Sequence, residues 1–504
     1  MAESYRETKS LQLKFAETLP FWCVLIFILV FTKPQKIEAQ SLVDRLDKAA
    51  KASINAYSLS SNGFAIDTAR GFFISADGLA ITTASLFQLG DTVVFTDEKD
   101  KPIALTKIIA FHTYSNLAIV QLKNPRLKEI EYLLPTRKTF GSQNEILAFT
   151  NTNEAEQGLA YGKIGPITRI PFIGRCAIIN LQASGTSDAS PIMDAAGDFA
   201  GLYFNTGSKK TGLLLPSSVI IDDNWTSVNK TWSAFKKDPE RAKLTNPFYF
   251  QALFFHGQEK WLEAARSYTT LLKIKPKDAQ VYALRSFTRF NYGNNIGGRE
   301  DFTNSLNLDP NGYFPYYSRA HFHLNAKQRT KALEDLFISV DKNPGFADAF
   351  LEIGKIQAVL GDIRKAFASF TYAIETDSLL AEAWYERGKL YIQHSTDQGK
   401  ALESLTTAAR LNPALEGVFS LIGNIKLNQL DYLEAIQEFD KAINQNGGDT
   451  YALMNRGMAF FNTGLKDKAC TDWDQAGKQG NLQAFKLISR HCAELRKGTF
   501  SKGK

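Results

Sequence analysis

Residues 347–380 read ADAFLEIGKIQAVLGDIRKAFASFTYAIETDSLL, and residues 381–414 read AEAWYERGKLYIQHSTDQGKALESLTTAARLNPA: one 34-residue phrase, twice. The phrase runs from about Thr245 to Asn481, punctuated by Pro276, Pro310, Pro344, Ser378, Pro413, Gly447 and Asn481 at steps of 34 or 35 residues. A small residue recurs early in each unit, at Ala252, Ser286, Ala320, Gly354, Gly388, Gly423 and Gly457. A second small residue follows, at Ala264, Gly298, Ala332, Ala366, Ala401, Ala435 and Ala469, and large apolar residues such as Phe370, Leu405, Phe439 and Trp473 come next. Small residues let two helices approach closely. A unit this short cannot bury its own apolar face, so the units must stack.

This spacing resembles the tetratricopeptide repeat (TPR), a helix-turn-helix unit, across residues 245–482 in seven copies, with residues 483–504 expected as a capping helix and tail. The resemblance implies an all-α superhelix whose inner surface binds an extended protein or peptide. A mere spacer is the bland alternative. Positions five and nine of each unit face inward in the family, one helical turn apart. Here they are Tyr249 with Leu253, Ala283 with Phe287, Tyr317 with His321, Leu351 with Lys355, Tyr385 with Lys389, Ser420 with Asn424, and Met454 with Met458. The expected peptide-binding residues are therefore Tyr249, Tyr317, Lys355, Tyr385, Lys389 and Asn424, the lysines pairing with carboxylates of the partner and the tyrosines packing on its apolar side chains. The competing reading is that these side chains are solvated or pack on neighbouring repeats.

Composition is that of a globular chain, 44% hydrophobic and 22% charged, and 504 residues suit two or three domains. The net charge of +7 is not gathered into a Lys/Arg cluster, so nucleic acid is not an expected partner. No Cys/His spacing points to a metal, and no glycine loop to a phosphate-bearing cofactor. Lys9 and Lys14 precede an apolar run at 21–31, and Ile37-Glu38-Ala39 offers a cleavage site before Gln40. Residues 1–39 thus read as a signal peptide and the mature chain as periplasmic or extracellular. An uncleaved membrane anchor is the alternative. Cys470 and Cys492 fall on adjacent helices at the array's end and leave two readings, a disulfide or two small buried side chains.

Between residues 41 and 223 the rhythm changes to short alternating runs rich in β-branched residues. Residues 70–84 read as a hairpin through Asp77-Gly78, and further strands are expected at 92–96, 106–111, 117–122, 145–149, 177–181 and 199–204. The strand count suits two small barrels. The segment 224–244, with Trp225 and Trp232, reads as a linker or short helix docking the barrels onto the first repeat.

The hairpin, Asn116-Leu117-Ala118-Ile119, the 141–149 segment, Gly162-Lys163-Ile164, residues 187–191, 197–202 and 212–217 occur in the order of the chymotrypsin-like serine proteases and resemble most closely the exported HtrA/Deg type. The resemblance implies a trypsin-like double barrel over 41–223. It also locates the catalytic positions. The base would follow Thr82-Thr83-Ala84, where Ser85 stands; the orienting aspartate falls on Asn116 and the nucleophile on Asp188; Thr186 replaces an oxyanion-hole glycine. His112 is the one histidine of the region and is expected to be a partly exposed strand residue. Acyl transfer needs an activated nucleophile and a base. The sequence therefore favours a binding scaffold carrying a pseudoprotease domain. An active serine endopeptidase with an atypical site and repeat-delivered substrates is the alternative.

Overall fold

The computed structural model describes residues 42–123, 130–135, 144–149, 159–182, 186–206, 211–395 and 397–492. The expected signal peptide, the Gly141 landmark and the tail beyond Cys492 lie outside the described residues. The chain divides after Asn325 into two compact units.

The first unit begins with helix α1 (Leu42–Ala52), β1 (Ser53–Leu59), β2 (Ala65–Phe73), β3 (Leu79–Thr83), the single-turn α2 (Leu86–Leu89), β4 (Thr92–Thr96), β5 (Pro102–His112) and β6 (Leu117–Lys123). It continues through β7 (Glu145–Phe149), β8 (Leu159–Ile170), β9 (Gly174–Leu181), β10 (Pro191–Asp194), β11 (Phe199–Asn205), β12 (Thr211–Pro216) and β13 (Trp225–Lys230). Strands β5-β4-β1-β2-β3-β6 form one ring, closed by the pairing of β6 with β5, and β10-β11-β12-β9-β8-β7 form a second. These are two closed six-stranded antiparallel barrels, the architecture of a trypsin-like domain. Alternation puts Val93 and Phe95 of β4, and Ala118, Val120 and Leu122 of β6, into the first core with Phe73, Phe87 and Phe111. Ile146, Ile164, Ile179, Ile192 and Leu214 fill the second. The hairpin turn forms as its residues dictate: Gly78 takes φ 94°, its N–H bonds to the Ser75 carbonyl, and Ser75 Oγ accepts the Leu79 N–H.

Residues 224–244 are not a linker onto the repeats. Strand β13 pairs antiparallel with β5, Trp225 opposite His112, and helix α3 (Trp232–Lys236) drives Phe235 into the first barrel's core. Arg241, which opens α4 (Arg241–Leu244), donates to the carbonyls of Phe87 and Gly90 and lies 5.0 Å from the Trp232 ring. The segment looks polar because β13 is an edge strand with most of its side chains exposed.

The same unit then carries α5 (Phe248–Gly257), α6 (Trp261–Ile274), α7 (Ala279–Asn291), α8 (Asn295–Leu308) and α9 (Phe314–Asn325). Helix α5 is seated on the second barrel. Thr168 Oγ1 of β8 donates to the Gly257 carbonyl at 2.8 Å, and a Cβ at Gly257 would stand 2.8 Å from the Arg169 carbonyl oxygen.

The second unit comprises α10 (Arg329–Lys342), α11 (Ala347–Val359), α12 (Ile363–Thr376), α13 (Ala381–His394), α14 (Gln398–Leu411), α15 (Val418–Asn428), α16 (Tyr432–Gln445), α17 (Thr450–Asn462), α18 (Lys466–Lys478) and α19 (Leu482–His491). The role assigned to the small residues is visible in the packing. A Cβ on Gly354, Gly388, Gly423 or Gly457 would lie 2.4–2.8 Å from Phe370, Leu405, Phe439 or Trp473 respectively. In each of these repeats the first-helix glycine makes room for the large residue of the second helix. Cys470 and Cys492 form a disulfide, which joins α18 to the end of α19.

Candidate functional site

The three residues that the family order offers as triad positions are only partly brought together. Ser85 opens α2, and Asn116, held at φ 54° in the β5–β6 turn, meets it from 31 residues away. The Asn116 carbonyl accepts the Ala84 N–H at 2.8 Å and its Oδ1 accepts the Ser85 N–H at 3.1 Å. Asp188 is engaged elsewhere. Its Oδ1 accepts the Asn205 N–H at 2.6 Å, and its carbonyl takes the Arg70 N–H at 3.0 Å, which ties the second barrel to β2 of the first. Burial raises the Asp188 carboxyl to about 6, against the pull of the Asn205 N–H and with the charge of Asp67 adding to it. Thr186 and Ser190 flank this turn with their hydroxyls buried.

His112 corrects the expectation of a partly exposed strand residue. It is buried, with Nε2 2.9 and 3.0 Å from the two oxygens of Asp222, and Nδ1 accepts the N–H groups of Tyr114 and Ser115 at 3.2 and 3.0 Å. A nitrogen that accepts two N–H bonds carries no proton, so the ring's hydrogen sits on Nε2 and is donated to Asp222. The imidazole braces the junction of β5 with β13, edge-on to Trp225 at 5.1 Å.

The inner positions of the first repeats are covered by the chain itself. Tyr249 is 4% exposed and meets Tyr114 edge-on at 5.2 Å, with the Lys275 ammonium 5.7 Å from its ring. Burial pushes its phenol well above the usual range. Phe172, at the tip of the β8–β9 turn with φ 64°, stacks on Tyr114 at 4.9 Å and reaches Phe314 at 6.0 Å. Phe287 completes the cluster, stacked on Tyr317 at 5.7 Å and on His256 at 4.9 Å. Tyr249 is therefore a docking residue between barrel and repeat. It is not an open contact for a ligand.

In the second unit the expected lysines already have partners. Lys355 lies 2.8 Å from Glu352, and Lys389 lies 3.0 Å from Glu386 and 5.1 Å from the Tyr385 ring. Burial opposes the Lys355 charge, but Glu352, Glu386 and Glu382 outweigh it and raise its pKa. Tyr385 donates its hydroxyl to the Glu416 carbonyl at 3.0 Å, and Ser420 donates to Asp449, which also caps α17 through the Ala452 N–H. A cavity of 670 Å³ is lined by Tyr385, Lys389, Ile392, Leu421, Asp449 and Tyr451 among others, and Lys355 lies outside this lining. The structure thus brings Tyr385, Lys389 and Ser420 together. Asn424 lies half-buried on α15 outside this lining. Sequence reasoning missed Glu416, Asp449 and Tyr451. Only Asp449 left a signal, as an acidic residue at a helix start.

Comparison with known proteins bears on the array. The family model described as Tetratricopeptide repeat matches residues 421–481. Human "Tetratricopeptide repeat protein 6" is 26% identical over 226 residues, which cover 43% of this chain and 41% of that protein. The "Tetratricopeptide repeat and J domain-containing co-chaperone DNJ1" of Cryptococcus neoformans is 29% identical over 143 residues, 24% of this chain and 27% of that one. The chain spans less than half the length of these curated relatives. Among solved structures, YrrB, described as a TPR protein with an unusual peptide-binding site, aligns with TM-score 0.34 and 20% identity over 37% of this chain and 97% of its own. The family match and the curated relatives, together with the helix pairs and their periodic glycines, support TPR repeats in the array.

Proposed function

We propose that this chain is an exported scaffold that holds an extended peptide of a protein partner in its TPR array, while its two-barrel domain serves as a non-cleaving structural module. The observation that carries the reading is the second-unit cavity, where Tyr385, Lys389 and Ser420, all inner-face positions of the family, converge. The co-chaperone among the relatives supports a polypeptide as the partner.

The inactive barrel is supported by the engagement of its polar groups. His112 is committed to Asp222, Asp188 accepts the Asn205 N–H, and Asn116 accepts the Ser85 N–H, so none of these three bonds joins a side-chain hydroxyl to a base. A carboxylate at Asp188 would oppose a developing oxyanion. Export is supported by the lysine-flanked apolar run and by a disulfide, which persists in oxidising compartments.

Three measurements test the parts separately. A photo-crosslinking side chain at Tyr451 should give discrete adducts in the native envelope fraction, and the same probe at exposed Leu433 should not; identical adducts from both sites would sink the peptide site. The purified chain should leave casein intact and resist a fluorophosphonate; labelling lost in Ser187→Ala or Ser190→Ala would move the barrel to the enzyme reading. N-terminal sequencing should begin near Gln40, and an intact Met1 would overturn cleavage.

A further inference from the structure

The second-unit cavity has a sign. Gathered in and beside it are Lys389 against Glu386, Glu416 and Asp449, one positive charge to three negative. Lys389 is matched by Glu386 one turn away on its own helix. The surplus is carried by Glu416 and Asp449. The whole chain has a net charge of +7, so this acidity is local placement and not a reflection of composition. The amino end of α17 would by itself favour an anion, but Asp449 already occupies it as the cap.

The apolar half of the lining fits the same ligand. Tyr451 is 46% exposed and Tyr385 half-buried, so both offer ring faces, and Ile392 and Leu421 give an aliphatic floor. A long basic side chain buries its methylenes on such a floor, sets its charge over an aromatic ring and ends at a carboxylate. A glutamate or aspartate entering here would meet unbalanced carboxylates within a Debye length, about 8 Å at physiological salt.

We propose that the cavity between α13, α15 and α17 binds a cationic extended segment, with an arginine or lysine of the partner directed to Glu416 and Asp449 beside Tyr451. This rests on the peptide-holding reading and reverses the polarity that the lysine pattern alone implied.

The test uses the full chain and three labelled peptides of one Leu/Ser framework that differ only in carrying Arg, Gln or Glu at alternate positions. Fluorescence anisotropy should show the Arg peptide binding about tenfold or more tighter than the Glu peptide, with the gap shrinking as salt rises. Glu416→Lys, at an exposed turn position, should weaken the Arg peptide about fivefold or more, and Glu382→Gln, outside the lining, should leave its binding unchanged. If the Gln or Glu peptide crosslinks at Tyr451 and binds as tightly as the Arg peptide, the peptide site stands and its charge preference is overturned. Arg-peptide binding indifferent to Glu416→Lys overturns the proposal as well. Failure of all three peptides to bind sinks both the site and its polarity.

Discussion

Asp188 and His112 are two buried polar side chains with opposite consequences for stability. Asp188 has a folded-state pKa of about 6 against an ordinary 3.8, with burial as the main cause. Between those values the native state holds more proton than the unfolded chain, so this residue's contribution makes stability fall as pH rises through the window. Asp188→Asn keeps an acceptor for the Asn205 N–H and removes the charge. It should raise stability at pH 7 by about 1–2 kcal/mol and make the change of stability with pH between about pH 4 and 6 more positive than in the parent, read from thermal unfolding across that range. A more negative change in the variant would mean the carboxylate is stabilised where it sits. His112→Ala is the opposite case. It takes one partner from Asp222, which keeps the Asn224 N–H, and strands the N–H groups of Tyr114 and Ser115, and should cost about 2–4 kcal/mol. A loss below about 1 kcal/mol would show that water replaces the ring readily. The order of family landmarks offered Ser85, Asn116 and Asp188 as triad positions, and the structure brings the first two together. The duty of His112 was not legible, because its partner stands 110 residues away in a stretch that sequence alone offers as the start of a linker.

At the scale of elements, legibility followed burial pattern. Strands β4 and β7 were readable to the residue because each is a clean run of apolar and β-branched side chains. Strand β8 was visible only at 162–164, since Gly162, Gly165 and Pro166 interrupt it and its pairing with β9 shifts register between Ile164 and Ile167. Yet β8 is the strand that seats the repeats. Gly257 at the end of α5 faces its backbone, and replacing a helical glycine with alanine ordinarily stabilises by about 1 kcal/mol. Here the sign should invert. The new Cβ would sit 2.8 Å from the Arg169 carbonyl oxygen, a backbone atom that cannot swing away. Gly257→Ala should therefore cost about 1–3 kcal/mol and loosen α5 from the barrel, detected as faster limited proteolysis at residues 245–260. Unchanged cleavage would mean that α5 has room to shift.

For the whole molecule, the repeat array was the legible part, because a 34-residue period survives any change of surface chemistry, and the terminal clamp was not. Two cysteines on neighbouring helices fit a disulfide and a plain packed pair equally well until their backbones are placed, and the structure joins them. The bond closes a loop across a sequence separation of 22 residues, and restricting the unfolded chain to that extent is worth about 3 kcal/mol in the loop-entropy account. Repeat arrays couple only nearest neighbours, so such a loss should stay near the terminus and not spread through the unit. The cap that the bond secures is thin: Ala484, Ile488 and Cys492 cover Leu453 and Trp473 with one short helix. Cys470→Ser, or a reductant, should raise hydrogen exchange in α18 and α19 by an order of magnitude or more, with α11 and α12 unaffected. Protection lost evenly across the second unit would show that its repeats unfold together. Protection retained in α19 would show that the Trp473 contacts hold the cap alone, and that the disulfide adds nothing to the stability of the array.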